Sequence, residues 1–228
     1  MTGIFIAGTD TGVGKTYVGV LLVRALVRRG LKVAVMKPVA AGAVVTAAGL
    51  RNEDAVSLMA AANVDAAYEL VNPYCLEAPA SPHIAAADAG VVIDPARISR
   101  CFDALAQRAD CVVVEGAGGW LAPISPTATM ADLAAALRLP VLLVVGLRLG
   151  CLNHAQLTAR AIGAAGLEIA AWVGNEIEAD FARQAENLAY LSAALAPVPG
   201  GAIQAVEPLF TRLAERLIRA PDGRKHLS

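Results

Sequence analysis

Met1-Thr2-Gly3-Ile4-Phe5-Ile6-Ala7-Gly8-Thr9-Asp10-Thr11-Gly12-Val13-Gly14-Lys15-Thr16-Tyr17 opens the chain and decides its fold. Ile4 to Ala7 reads as a buried strand, the Gly/Thr-rich stretch after it as a turn, and Gly14-Lys15-Thr16 as the start of an amphipathic segment. A P-loop is built in that order. Backbone N–H groups and the positive end of the helix dipole hold phosphate oxygens, the lysine reaches the terminal phosphates, and the Thr hydroxyl faces Mg²⁺. The spacing departs from G-x-x-x-x-G-K-[ST]: position 9, where the first glycine belongs, is Thr9, and Gly8 stands one residue earlier. The strand before the loop and the helix after it favour a P-loop variant over a tight turn with an incidental lysine.

Outward from the loop, Val18, Leu21, Leu22, Ala25 and Leu26 repeat at helical spacing, and Arg28-Arg29-Gly30 supply a basic end and a stop. Apolar strands are expected at Lys32 to Met36, Asp110 to Val114, Val141 to Val145 and Ile169 to Val173. Helices are expected from Asn52-Glu53-Asp54 to about residue 62, from Asp94-Pro95, over Ala131 to Leu137, over Asn153 to Ala165, and at about 180–195 and 208–219. Residues 39–50 read as a mobile loop and Asn72 to His83 as a structured, proline-rich one. Five strands alternating with helices, with no repeat and no polar linker, predict a single P-loop-type α/β domain over residues 1–220. Its sheet is doubly wound, mostly parallel and covered by helices on both faces; a loose charged tail is expected at 221–228.

Composition narrows the function. With 57% hydrophobic and 17% charged residues, disorder is not expected over most of the chain. A net charge of −1 leaves no basic footprint for nucleic acid. Cys75, Cys101, Cys111 and Cys151 form no C-x-x-C pair and read as reduced thiols. Pro140 to Gly146, the most apolar stretch, is too short to span a bilayer, and a start that runs straight into a strand with no basic region leads us to expect no cleavable signal. A soluble cytoplasmic enzyme is the expectation.

In such sheets ligands bind beyond the carboxyl ends of the strands, where Lys15, Lys37, Glu115, Gly146 to Asn153 and Asn175 gather. Thr16, Asp54 and Glu115 form a set of hard oxygen donors suited to Mg²⁺, which keeps waters and takes one or two carboxylates beside nucleotide phosphates. Asp54 reads equally as a first-turn acid favoured by the helix dipole. Lys37 follows a buried strand and suits a charge-neutralising role toward a transferring phosphoryl group; a solvated strand-end lysine is the alternative. Gly116, Gly118 and Gly119 permit close approach of a ligand or a tight turn. Gly150-Cys151-Leu152-Asn153 opens a helix whose N–H groups suit a carboxylate, or ordinary capping. His83 and His154 lack metal-ligand spacing, and Ser81 and Ser125 lack an evident base.

Taken together these residues resemble the dethiobiotin synthetase family. The resemblance is carried by Gly8-Thr-Asp-Thr-Gly-Val-Gly-Lys-Thr16, Lys37-Pro38-Val39, Gly49-Leu-Arg-Asn-Glu-Asp54, Val71-Asn-Pro-Tyr74 and Ser81-Pro-His-Ile84. Val114-Glu-Gly-Ala-Gly-Gly-Trp120, Val144-Val-Gly146, Leu149-Gly-Cys-Leu-Asn-His154, Leu157-Thr158 and Gly174-Asn175 continue it. It implies a homodimeric ligase that carboxylates 7,8-diaminononanoate with CO₂, phosphorylates the carbamate from ATP with Mg²⁺, and closes the ureido ring. It further implies that Thr16, Asp54 and Glu115 surround Mg²⁺ and that Lys15 and Lys37 stabilise the carbamate and the transferring phosphoryl group. Thr11 would line the diamine site. Gly12, Val13, Gly14, Lys15, Thr16 and Tyr17, with Glu115, Gly116, Ala117 and Gly118, would hold the ATP phosphates, and Asn175 would read adenine. Gly150 to Asn153 would reach the substrate carboxylate across the dimer interface.

Departures from the family pattern are Ala40-Ala41-Gly42, which lacks the hydroxyl often found there, Asn175-Glu176 in place of Asn-Asp, and Gly201-Ala202-Ile203-Gln204 in place of Gly-x-Ile-Pro. Competing readings are a regulatory P-loop ATPase of the partitioning type, which usually carries a lysine where Asp10 stands, and a nucleotide-binding paralogue without turnover. A switch GTPase would need Asn-Lys-x-Asp, which Asn175-Glu-Ile-Glu178 is not.

Overall fold

A computed structural model describes residues 3–219 of the chain; the expected tail at 221–228 lies outside the described residues. The chain runs through β1 (Gly3–Gly8), α1 (Lys15–Arg28), β2 (Val33–Met36), β3 (Val39–Ala40), β4 (Val44–Thr46) and β5 (Gly49–Arg51). Next come α2 (Glu53–Ala61), α3 (Tyr68–Val71), β6 (Tyr74–Cys75), α4 (Pro82–Asp88), α5 (Pro95–Ala106) and β7 (Cys111–Glu115). It ends with α6 (Met130–Leu137), β8 (Val141–Leu147), α7 (Cys151–Ala164), β9 (Ile169–Glu176), α8 (Gln184–Ala194), β10 (Gly200–Ala202) and α9 (Glu207–Arg219).

Among the described residues the central sheet has six strands in the order β10-β9-β8-β1-β7-β2, every pair parallel. Because both faces are covered, the strands are apolar throughout rather than alternating. Side chains nevertheless alternate in destination. Ile4 and Ile6 face α1 and α9, packing with Val18, Leu22, Leu26, Phe210 and Leu213. Phe5 and Ala7 face the other layer with Phe102, Leu133, Ala155 and Trp172. The five expected strands all appear in this sheet.

The sixth, β10, was not expected from its sequence Gly200-Gly201-Ala202. A Cβ on Gly200 would lie 2.2 Å from the Trp172 indole, so the neighbouring tryptophan excludes a side chain at this strand position. Residues 39–50, expected as a loop, instead hold β3, which pairs with β6, and the antiparallel hairpin β4–β5. The hairpin carries no apolar alternation, since Val44 and Val45 are exposed. Its turn is held by side-chain chemistry: the Thr46 hydroxyl donates to Gly49 O (2.7 Å) and accepts from Ala48 N (3.2 Å). The stretch 72–83 likewise contains β6 and the start of α4.

The sheet register brings the site together. Ile6 lies beside Glu115, Gly8 beside Val144, and Gly146 beside Asn175. The chain crosses from one side of β1 to the other between β7 and β8, so the carboxyl end of β1 is a switch point.

Candidate active site

The P-loop spacing has a geometric reason. Thr9 lies just past β1 but continues its pairing by one bond, its N–H bonded to Val144 O (2.9 Å) and its hydroxyl accepting from Gly146 N (3.4 Å). The loop folds back over position 8 instead: a Cβ there would lie 2.8 Å from the Val13 side chain and 3.0 Å from both Asp10 O and Lys15 Cδ. The glycine is required one residue early because the close approach occurs one residue early. Gly12 and Gly14 take φ of 73° and 85°, the left-handed region that a side chain disfavours.

Lys15 curls back to donate to Asp10 O (3.1 Å). Asp10 is itself held, its carboxylate accepting from Thr11 N (2.7 Å) and pairing with Arg148 (2.6 Å) beyond the end of β8. Burial, and then repulsion from Lys37, lower the Lys15 ammonium to about 8, which leaves it cationic at neutral pH.

Lys37 is the centre of the cluster. Its buried Nζ lies 2.5 Å from Glu115 Oε1 and 2.9 Å from Asp54 Oδ2, and donates to Gly116 O at 3.3 Å. The ammonium thus has three oxygen neighbours, two as hydrogen-bond acceptors and Asp54 as an ion pair. Burial works against its charge, but Glu115 and Asp54 outweigh this and raise its pKa. For Asp54, burial works to raise the pKa; the Lys37 ammonium wins and holds it below the ordinary carboxylate range. Lys37 is therefore no solvated strand-end lysine, and Asp54 does more than complement a helix dipole.

Glu115 Oε1 accepts from both Lys37 and the Thr16 hydroxyl (2.9 Å), while Oε2 is buried with no hydrogen-bond partner. An orphaned carboxylate oxygen beside a threonine hydroxyl and a second carboxylate fits a hard divalent cation completed by water and phosphate oxygens. The described residues hold no group of three or more His, Cys, Asp and Glu that would form an all-protein metal site. The set suits Mg²⁺ rather than zinc.

These groups line one cavity of about 770 Å³, together with Thr11, Gly12, Gly14, Ala117 and Gly118. Ala40 and Ala41 contribute walls without a hydroxyl, and Ser81 lines the same cavity. Val13, Gly116 and Asn175 are placed behind the wall. Asn175 donates to Val13 O (3.0 Å), and a Cβ on Gly14 would meet its amide at 2.2 Å, so Asn175 braces the loop from β9. A Cβ on Gly116 would lie 3.1 Å from the Phe5 ring, which explains that glycine by packing. Tyr17 is 56% exposed and is not brought to the cavity. Gly150, Cys151, Leu152 and Asn153 also lie outside its lining, at the start of α7, where Gly150 takes φ 94° and Cys151 is buried.

Residues that pattern-reading did not single out for the site include Asn52 and the strip Pro79 to Pro82, all on the cavity wall. Asn52 caps α2, its Oδ1 accepting from Asp54 N (3.1 Å) and Ala55 N (3.4 Å), and so orients the first turn that carries Asp54. Its place before two acids was the available signal.

Residues 2–209 match a family model described as an AAA domain. Among solved structures, the fold is similar to the MinC:MinD cell division protein complex of Aquifex aeolicus (TM-score 0.54, 15% identity, 94% of this chain and 86% of that one). It is also similar to the signal recognition particle 54 kDa protein of Aeropyrum pernix (TM-score 0.51, 18% identity, 95% of this chain and 48% of that one). At such identities the likeness concerns the fold alone. Sequence likeness is much stronger. The chain is 50% identical over 192 residues to the ATP-dependent dethiobiotin synthetase BioD of Xanthomonas oryzae pv. oryzae, covering 84% of this chain and 86% of that protein. It is 52% identical over 184 residues to the protein of that name from Aromatoleum aromaticum, covering 81% and 82%. The Xylella fastidiosa protein is 48% identical over 199 residues, covering 87% and 88%. With a P-loop braced from β9 and a lysine–carboxylate cluster facing it across one cavity, the chain belongs to the ATP-dependent dethiobiotin synthetase family.

Proposed function

We propose that the chain joins CO₂ to 7,8-diaminononanoate and closes the ureido ring of dethiobiotin at the expense of ATP. The observation that carries this reading is the Lys37–Asp54–Glu115–Thr16 cluster facing the P-loop. Phosphoryl transfer needs positioning and charge neutralisation more than covalent chemistry, and a buried cationic site beside hard oxygen donors supplies both.

One amine of the diamine adds to CO₂ and loses a proton, giving a carbamate. A carbamate oxygen attacks the γ-phosphorus and ADP leaves. The second amine attacks the carbonyl carbon of the mixed anhydride, phosphate leaves, and a proton is lost as the ring closes. Lys15 and Lys37 hold the carbamate and the transferring phosphoryl oxygens, and Thr11 orients the diamine at the cavity wall. The backbone from Gly12 to Tyr17 and from Glu115 to Gly118 cradles the phosphates, while Asn175 fixes the loop and would read adenine. Thr16, Asp54 and Glu115 are the residues that would hold Mg²⁺, which when bound neutralises phosphate charge. The anhydride is prone to hydrolysis, so turnover would require that water be kept from it while the substrates fill the cavity.

Gly150 to Asn153 would take the substrate carboxylate of a second copy in a homodimer. Their position outside the chain's own cavity and the exposed Leu149 beside them, 89% accessible, support that assignment. Soluble, cytoplasmic operation belongs to the same proposal; among the described residues no helix is long and apolar enough to cross a membrane.

The test is ATP consumption by purified protein with diamine and bicarbonate supplied or withheld in turn. Phosphate release that requires both, with dethiobiotin as the product, supports the reading. Equal hydrolysis without diamine defeats it and favours a regulatory ATPase.

A further inference from the structure

Lys37 and Asp54 touch through their side chains, but their backbones are joined by a second, wholly separate route. Lys37 N donates to Val71 O (2.8 Å), and Asn72 Nδ2 donates to Lys37 O (2.6 Å), so the lysine is clamped on both backbone sides by the end of α3. The Tyr68 hydroxyl, at the start of α3, donates to Asn72 Oδ1 (3.0 Å) and accepts from Asn52 N (2.8 Å). Asn52 in turn caps the helix turn that bears Asp54. Arg51, the residue before it, lies with its guanidinium 4.0 Å over the Tyr68 ring. Tyr68, Asn72 and Asn52 are all buried.

We propose that Tyr68 is a positioning residue whose hydroxyl sets the placement of Asp54 relative to Lys37. The proposal rests on the roles given above to those two residues. One hydroxyl has one hydrogen and two lone pairs, and here it serves a donor from one active-site element and an acceptor from the other. Each bond is buried, so each partner depends on the phenol rather than on water. The ring adds a rigid base for the hairpin end β5, through Arg51. Without the hydroxyl, the cap of α2 and the clamp on Lys37 lose their common anchor. Asp54 then relaxes relative to the ammonium, and a displacement of that kind at a phosphoryl-transfer site lowers turnover more than it weakens binding.

Tyr68→Phe keeps the ring and its stacking with Arg51 and removes only the hydroxyl. The expected result is a fall in kcat of about tenfold with KM for the diamine within about twofold of the parent. Mn²⁺ affinity, measured by electron paramagnetic resonance without substrates, is expected to fall several-fold as Asp54 loses its setting. A core variant remote from the cavity, Ile98→Val, serves as the control for lost stability. If Tyr68→Phe lowers the melting temperature but keeps kcat and Mn²⁺ affinity within twofold, Tyr68 is a structural residue only and the proposal is overturned. If Ile98→Val, at a matched melting temperature, loses kcat equally, the proposal is overturned as well. Should Tyr68→Phe fold poorly, Asn72→Ser cuts the same route at its Lys37 end and is read by the same two measurements. Normal turnover in Lys37→Ala and Asp54→Asn would overturn the underlying site reading. Loss in those variants with retention in Tyr68→Phe overturns the tether alone.

Discussion

Lys37 and Glu115 stand 78 residues apart in the chain, yet Nζ of one lies 2.5 Å from Oε1 of the other and both side chains are buried. β2 and β7 are adjacent strands, with Met36 in register with Val114, so Lys37, just past β2, and Glu115, the last residue of β7, come side by side at one edge of the sheet. Two charges removed from water recover their desolvation cost only in good geometry, so the pair is not by itself a source of net stability.

Removing the lysine therefore has two separable effects. Lys37→Ala is expected to retain ATP binding and to lose about 10²–10³ in diamine-dependent turnover. It also leaves Glu115 as an uncompensated buried charge, at a cost of about 3–5 kcal/mol. Added Mg²⁺ is expected to raise the melting temperature of the variant more than that of the parent. Kinetics and thermal denaturation with and without Mg²⁺ check both; near-normal turnover would remove Lys37 from the mechanism.

Gly8→Ala tests the displaced glycine. The new methyl would press on the Val13 side chain, Asp10 O and the Lys15 stem, and overpacking of that kind costs about 1–3 kcal/mol. Nucleotide affinity is expected to fall markedly, whereas Thr9→Gly should be tolerated, because glycine keeps the N–H that bonds Val144 O and loses only the 3.4 Å contact of the hydroxyl with Gly146 N. Gly14→Ala adds a φ of 85° to a 2.2 Å approach to Asn175 and is expected to be worse than Gly8→Ala. Asn175→Ala, which frees Val13 O, should weaken ATP binding several-fold, with titration of a fluorescent nucleotide as the measurement.

Asn153→Ala is expected to raise KM for the diamine with a smaller effect on kcat, as loss of uniform binding does. Unchanged substrate affinity would count against a carboxylate site at the start of α7. Mixing this variant with Lys37→Ala offers a sharper reading: recovery of turnover in the mixture would place the two residues in different copies of one site.

A pH prediction attaches to α6. Asp132 accepts from both the hydroxyl and the N–H of Thr129 (2.7 Å each), and these bonds hold its carboxyl below the ordinary range. A depressed folded-state pKa contributes stability that is fully present above the unfolded value and is lost as pH falls through the folded one. The melting-temperature difference between the parent and Asp132→Ala should thus be constant at neutral pH and shrink on acidification below the normal carboxylate pKa. A difference that persists unchanged at low pH would mean that the carboxylate form is not the cap.

Much of this molecule was readable before folding. The five long strands are apolar runs bounded by Gly, Pro or charge, and Asn52 and Asp94 cap helices as their residue types suggest. What escaped reading lacked a local signature. Trp172 leaves no room for a side chain at Gly200 of β10, and a glycine pair reads as a turn. The hairpin β4–β5 exposes its valines, so no alternation marks it. Tyr68 and Asn72 look like ordinary residues of a short helix and its end.

The strand, glycine loop and helix at the start of the chain are local information, and so are the residue types at strand ends; from these the α/β class, the P-loop and the candidates Lys15, Thr16, Lys37, Asp54 and Glu115 follow directly. Local spacing carries no distance between residues far apart in sequence. That Lys37 gathers Glu115, Asp54 and Gly116 O around one ammonium, that Glu115 keeps one oxygen without a partner, and that Asn175 supports the P-loop from behind are consequences of strand order and register. Those contacts exist because a parallel sheet delivers the carboxyl ends of its strands to one edge, where burial then makes every charge answer to its neighbours.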